Sequence, residues 1–139
     1  MNTGLDGYKA EVYFQYQAMK QGLALSSPVN NLSPYDYIVD CGDRLIKCQV
    51  KKACPSTQGS FYECELRRTR SKKTGMKAYP RKLYKDGDFD FLCAVIPDGD
   101  IYIIPWGLVS DIKSRIILGG KKRNKYESFK ENWGFIQVP

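Results

Sequence analysis

The stretch PYDYIVDCGDRLIKCQVK, residues 34–51, restricts the folding of this chain more than any other. Gly42-Asp43 suits a two-residue turn with glycine first, and the flanking residues have the apolar content of two half-buried strands. With that turn, Cys41 faces Arg44, Val39 faces Ile46, Ile38 faces Lys47 and Asp36 faces Gln49. Directly opposed residues have Cβ atoms about 4.5–5.5 Å apart, so the side-chain oxygens of Asp36 and Gln49 can share one cation. Lys51 lies two residues beyond Gln49 and projects from the same face, about 7 Å along the strand. The hairpin is either an ordinary amphipathic one or the frame of a metal site. Spacing alone leaves both open.

The chain contains no histidine, which narrows the chemistry. Ser–His and Cys–His nucleophilic pairs are excluded, as are His-ligated zinc and any nuclease with a histidine base. Phosphodiester hydrolysis would have to rely on carboxylates, amides, lysine and a hard divalent cation. A lysine beside such a cation can orient the attacking water or stabilise charge on the phosphoryl group.

The charge distribution points to the partner. The net charge is +7, and residues 67–85 carry Arg67, Arg68, Arg70, Lys72, Lys73, Lys77, Arg81, Lys82 and Lys85 without one acid. A second cluster, KKRNK, includes Lys121, Lys122 and Arg123. Small, turn-prone and aromatic residues interrupt both runs, as in loops that follow a phosphate backbone. No basic amphipathic helix accompanies the charge, so nucleic acid is favoured over an anionic membrane.

The 139 residues predict one domain with a real core. The start, MNTGLDGYKAEV, lacks the blocks of a signal peptide, and the apolar stretches are too short to span a bilayer. Five cysteines without a CxxC read as reduced thiols in the cytoplasm rather than disulfides or a zinc site. Leu5 to about Gln21 predicts a helix stopped by Gly22, and Leu23–Val29 a short strand. The hairpin follows, with strands at 35–40 and 44–52. Phe61–Arg68 predicts a further strand, and Phe89–Ile96 with Asp100–Ile104 a second hairpin around Pro97-Asp98-Gly99. Asp111–Leu118 is ambiguous, and Tyr126–Trp133 reads as a terminal helix. One helix, four or five strands and helical pieces give an α/β or α+β domain around a mixed sheet.

Pro34-Tyr35-Asp36 before the first hairpin strand, an upstream helix bearing Glu11, and a large basic segment downstream resemble the PD-(D/E)XK, or restriction-endonuclease-like, superfamily. The short length, Gln49-Val50-Lys51 and the IYIIPW stretch, Ile101–Trp106, are most similar to its cyanobacterial group I intron-encoded homing endonucleases. The resemblance implies an α/β restriction-endonuclease-like core, a mixed central β-sheet flanked by helices. It makes Asp36 the metal carboxylate, puts Gln49 where Glu or Asp is usual, makes the Val50 carbonyl a backbone ligand and Lys51 the family lysine. Glu11 matches the acid that some members bring from the first helix. Two departures stand out: Tyr35 interrupts the Pro-Asp step, and Gln49 supplies an oxygen without charge, which weakens the hold on metal unless Glu11 restores it.

The expectation is a site-specific double-strand DNA homing endonuclease using Mg²⁺, with Mn²⁺ as a substitute. Loops near 54–60, 67–85 and 119–125 would grip the duplex. Cutting both strands needs two active sites, so a homo-oligomer, dimer or tetramer, is implied. A Holliday-junction resolvase of the same fold and a catalytically inactive DNA-binding protein are the alternatives.

Overall fold

Helix α1, Thr3–Lys20, ends where the chain reaches its first left-handed residue. Gly22 takes φ 81°, its N–H bonds the Met19 carbonyl (2.9 Å), and the Leu23 N–H bonds the Ala18 carbonyl (3.2 Å). This pair of bonds satisfies the last carbonyls of a helix when glycine follows it. The computed structural model describes residues 3–30, 32–68, 82–122 and 125–137, with the backbone alone for residues 3–6, 68 and 82. Ala10, Phe14 and Ala18, spaced by four, are the buried stripe of α1.

The strands follow as β1 (Ala24–Ser26), β2 (Tyr37–Asp40), β3 (Leu45–Lys52), β4 (Cys54–Pro55), β5 (Tyr62–Glu65), β6 (Arg67–Arg68) and β7 (Lys82–Leu83). Then come β8 (Phe91–Val95), β9 (Ile101–Pro105), a 3₁₀ turn at Trp106–Leu108, and β10 (Arg115–Leu118). A second 3₁₀ turn at Glu127–Phe129 precedes the short helix α2, Gly134–Gln137. The main sheet has the order β1-β2-β3-β8-β9, parallel only between β3 and β8. It is the mixed central sheet expected. Parallel neighbours need a long crossover, and here the connection carries β4 and β5, which β10 joins in a second sheet, β10-β5-β4, and the ribbon β6-β7.

Strands β8 and β9 are buried on both faces, as their unbroken apolar sequences require. Cys93, Val95, Ile101 and Ile103 meet α1, Trp133 and Ile136 on one side. Leu92, Ala94, Tyr102 and Ile104 meet Cys64, Leu66, Ile116 and Leu118 on the other. Helices therefore cover one face, and the second sheet covers the opposite one.

Three expectations change. Residues 126–133 do not form a helix; Lys130 makes a β-bridge to Tyr102, and Glu131 caps Ile101 through both its N–H (2.7 Å to the carbonyl) and its carboxylate (2.7 Å from the N–H). The edge of β9 outcompetes local helix formation. Residues 54–60 are β4 and the turn toward β5, and they contain no lysine or arginine. The segment 67–85 is not a loop throughout, because Arg67 pairs with Leu83 and Arg68 with Lys82.

Candidate active site

The hairpin folds in the register its turn dictates: Tyr37 lies opposite Cys48, Ile38 opposite Lys47, Val39 opposite Ile46 and Asp40 opposite Leu45. Gly42 has φ 89°, and the Cys41 N–H bonds the Arg44 carbonyl (2.9 Å) across the turn. Hydrogen-bonded pairs alternate along an antiparallel ladder, so the next bonded pair after Tyr37–Cys48 would be residue 35 with Val50. Instead the Asp36 N–H donates to the Cys48 carbonyl (2.9 Å), and Oδ2 of Asp36 accepts the Val50 N–H (2.8 Å). A carboxylate has replaced a backbone partner. Its position is thereby set by the main chain of β3.

Glu11 arrives from the other layer. Tyr37, next to Asp36, donates its hydroxyl to the Glu11 backbone carbonyl (3.1 Å) and to Gln15 Oε1 (3.2 Å), and its ring packs 5.6 Å from that of Phe14. These contacts hold one turn of α1 over the end of β2, where the Glu11 and Asp36 carboxyls share a hydrogen bond. Burial, then the Asp36 charge and that bond, push Glu11 from 4.5 up to about 7, against the pull of Lys51. Asp36 is also raised, by burial, although the Val50 N–H, Glu11 and Lys51 oppose it.

Gln49 and Lys51 project from the opposite face to Cys48 and Val50. Gln49 is buried, and its Nε2 donates to the Val50 carbonyl (3.1 Å). The Lys51 ammonium donates to the Arg67 carbonyl (3.0 Å) and lies 5.3 Å from the Tyr84 ring centre. The structure thus brings Glu11 to Asp36, ties Asp36 to the Val50 N–H and sets Lys51 within electrostatic reach of both carboxyls, whereas Gln49 bonds the Val50 carbonyl rather than Asp36. Sequence spacing assigns neither Tyr37 nor Tyr84 to the site. No periodicity marks either one.

The basic residues divide. Lys121 and Lys122 are exposed. Arg67 is exposed, yet its Nε donates to the Lys113 carbonyl (3.2 Å), tying β6 to the segment before β10. Arg68 and Lys82 stand in the paired strands β6 and β7. Arg70, Lys72, Lys73, Lys77, Arg81 and Arg123 lie outside the described residues.

The carboxyl pair has a consequence for stability. Glu11 binds its proton more tightly folded than unfolded, so the stability it confers is complete below about pH 4.5 and is lost as pH rises through about 7. Melts of metal-free protein in chelator are expected to show Tm falling between pH 5 and 8, at roughly 4 °C per kcal/mol lost. Glu11→Gln should flatten that fall. A variant with an unchanged slope would disprove the assignment to Glu11.

Comparison with known proteins agrees with this layout. The PD-(D/E)XK endonuclease family profile matches residues 1–135. Protein 5.3 of Escherichia phage T7 is 31% identical over 121 residues, 87% of this chain and 92% of that protein. The solved structure of I-Ssp6803I, a bacterial homing endonuclease, superposes with a TM-score of 0.83 at 28% identity, covering 99% of this chain and 94% of the other. The similarity runs through the hairpin, the crossover and the second sheet alike, and this chain belongs to the PD-(D/E)XK endonuclease family.

Proposed function

We propose that the protein is a site-specific double-strand DNA endonuclease of the homing type, a single nuclease domain in the cytoplasm that depends on Mg²⁺ or, in its place, Mn²⁺. The observation that carries this reading is the Glu11–Asp36 carboxyl pair, pressed together beside Lys51. Two half-buried acids set against each other are an unfavourable arrangement that a cation relieves. The donor set fits a hard divalent ion, since it consists of oxygens: the Asp36 and Glu11 carboxylates, Gln49 Oε1 and the Val50 carbonyl. Among the described residues no cluster of three or more His, Cys, Asp or Glu offers a rival site.

When bound, the cation offsets charge on the phosphoryl group and acidifies the attacking water. Asp36 is held in place by the Val50 N–H. Gln49 now points its amide nitrogen at the Val50 carbonyl, so presenting both oxygens requires turning the amide end for end. Glu11, poised near neutrality, can take up or release a proton. Lys51 orients the water or donates to the phosphoryl oxygens. The basic segments at 67–85 and 119–125 follow the backbone of the duplex.

The test is a plasmid library of candidate target sequence, incubated with Mg²⁺ or with chelator, beside a four-way junction. Linearisation with Mg²⁺ alone is the expected result. Preference for the junction would favour a resolvase, and binding without cutting under any cation would leave only a DNA-binding protein.

Cutting both strands also calls for a homo-oligomer. Tyr8, Val12, Tyr16 and Met19 line the outward face of α1 and are 63%, 45%, 58% and 59% exposed. Copies with a net charge of +7 repel one another, and this mostly apolar stripe, with Lys20 over the Tyr16 ring at 5.6 Å, offers a surface on which they can meet. The double variant Tyr8→Glu/Tyr16→Glu is expected to sediment as a monomer and to nick rather than linearise. An unchanged mass would place the interface elsewhere.

A further inference from the structure

Two contacts of Lys51, with the Arg67 carbonyl at 3.0 Å and the Tyr84 ring at 5.3 Å, lie at the same end of one strand pair. Arg67 opens β6 opposite Leu83, and Tyr84 follows Leu83 directly. The ring is itself braced. Phe89, which is buried, meets it edge to face at 5.0 Å and 81°, and Trp106 meets Phe89 at 5.1 Å and 76°. The Trp106 Nε1–H donates to Asp86 Oδ1 (2.8 Å), closing the far end of the row. The Arg67 side chain bonds the Lys113 carbonyl, so its backbone is anchored as well.

A flexible ammonium has many rotamers, and a catalytic lysine must spend its time in one of them. A ring face attracts a cation and, if braced, favours one placement over the rest. We propose that Tyr84 is a positioning residue of the reaction: its ring face, with the Arg67 carbonyl, holds the Lys51 ammonium at the Glu11–Asp36 pair. The proposal rests on the reading of Lys51 as the residue that assists the attacking water. Arg67 belongs to the strand pair that bounds residues 69–81, and Tyr84 follows that pair directly.

The attraction belongs to the ring face and not to the hydroxyl, which separates the possible roles of Tyr84. In single-turnover cleavage, Tyr84→Leu is expected to lower the rate about tenfold, with the half-saturating DNA concentration within about twofold of wild type. Tyr84→Phe should restore the rate to within about twofold. In a Lys51→Met background Tyr84→Leu should cost nothing further, because its effect passes through the lysine. Tyr84→Met, which fills an irregular gap, stands in if the leucine variant does not fold.

Equal losses for Phe and Leu would overturn the proposal, as would a Tyr84→Leu loss of the same size with and without Lys51. A Tyr84→Leu rate equal to wild type would also overturn it. Wild-type cleavage by Lys51→Met is a different failure, since it removes the underlying reading of the lysine whatever Tyr84 does.

Discussion

Asp36→Asn is expected to lower Mg²⁺-dependent cleavage about a thousandfold, since a cation supplies several kcal/mol of transition-state stabilisation and each 1.36 kcal/mol is a factor of ten. Asparagine keeps the shape and an oxygen for the Val50 N–H, so the bond that orients the side chain survives. What disappears is the charge. Asparagine also removes the neighbour that helps to push Glu11 up to about 7, so the Glu11 pKa should fall toward its ordinary value. The inactive variant should therefore be at least as stable as wild type at pH 8 in chelator. That pairing of lost activity with retained or increased Tm distinguishes a functional carboxylate from a structural one. Plasmid linearisation and thermal melts on one preparation decide it. Asp36→Asn protein retaining more than about a tenth of wild-type activity would sink the assignment.

Lys51→Met is expected to reduce the cleavage rate by about a hundredfold to a thousandfold, the range for losing a positioned proton-transfer or charge-stabilising group. Methionine approximates the length and apolar stem of lysine without the ammonium. Binding of DNA should change little, because one charge is lost from a chain carrying 22 Lys and Arg. Lys51→Arg should not restore the rate, since a planar guanidinium does not reproduce a point charge seated over the Tyr84 ring. Rates at saturating DNA, compared with half-saturating concentrations, separate these effects. If the methionine variant loses affinity while its saturated rate stays normal, Lys51 is a DNA contact and not a catalytic group.

Much of this site is legible along the chain, because its geometry is local. The Gly42-Asp43 turn and the two-residue period of a strand settle the β2–β3 register before any tertiary contact forms. Gly22 likewise ends α1, and Pro97-Asp98-Gly99 joins β8 to β9. The second sheet is legible only in part: Phe61–Arg68 reads as a strand and contains β5, whereas β4 spans two residues and β10 four, too few for a periodic signal. Residues 126–133 misled for the opposite reason, since a helix-compatible composition yields there to the edge of β9.

By itself, then, the sequence determines which side chains of β2 and β3 oppose one another, and, having no histidine, rules out chemistry that needs an imidazole. Tertiary structure alone decides that Glu11 meets Asp36 and that Tyr84 meets Lys51. Turns and strand registers depend on neighbours a few residues apart, whose geometry the backbone restricts. The meeting of α1 with β2 depends on burying Phe14 and Ala18 against Tyr37 and Val39, a contact between layers that no spacing along the chain records.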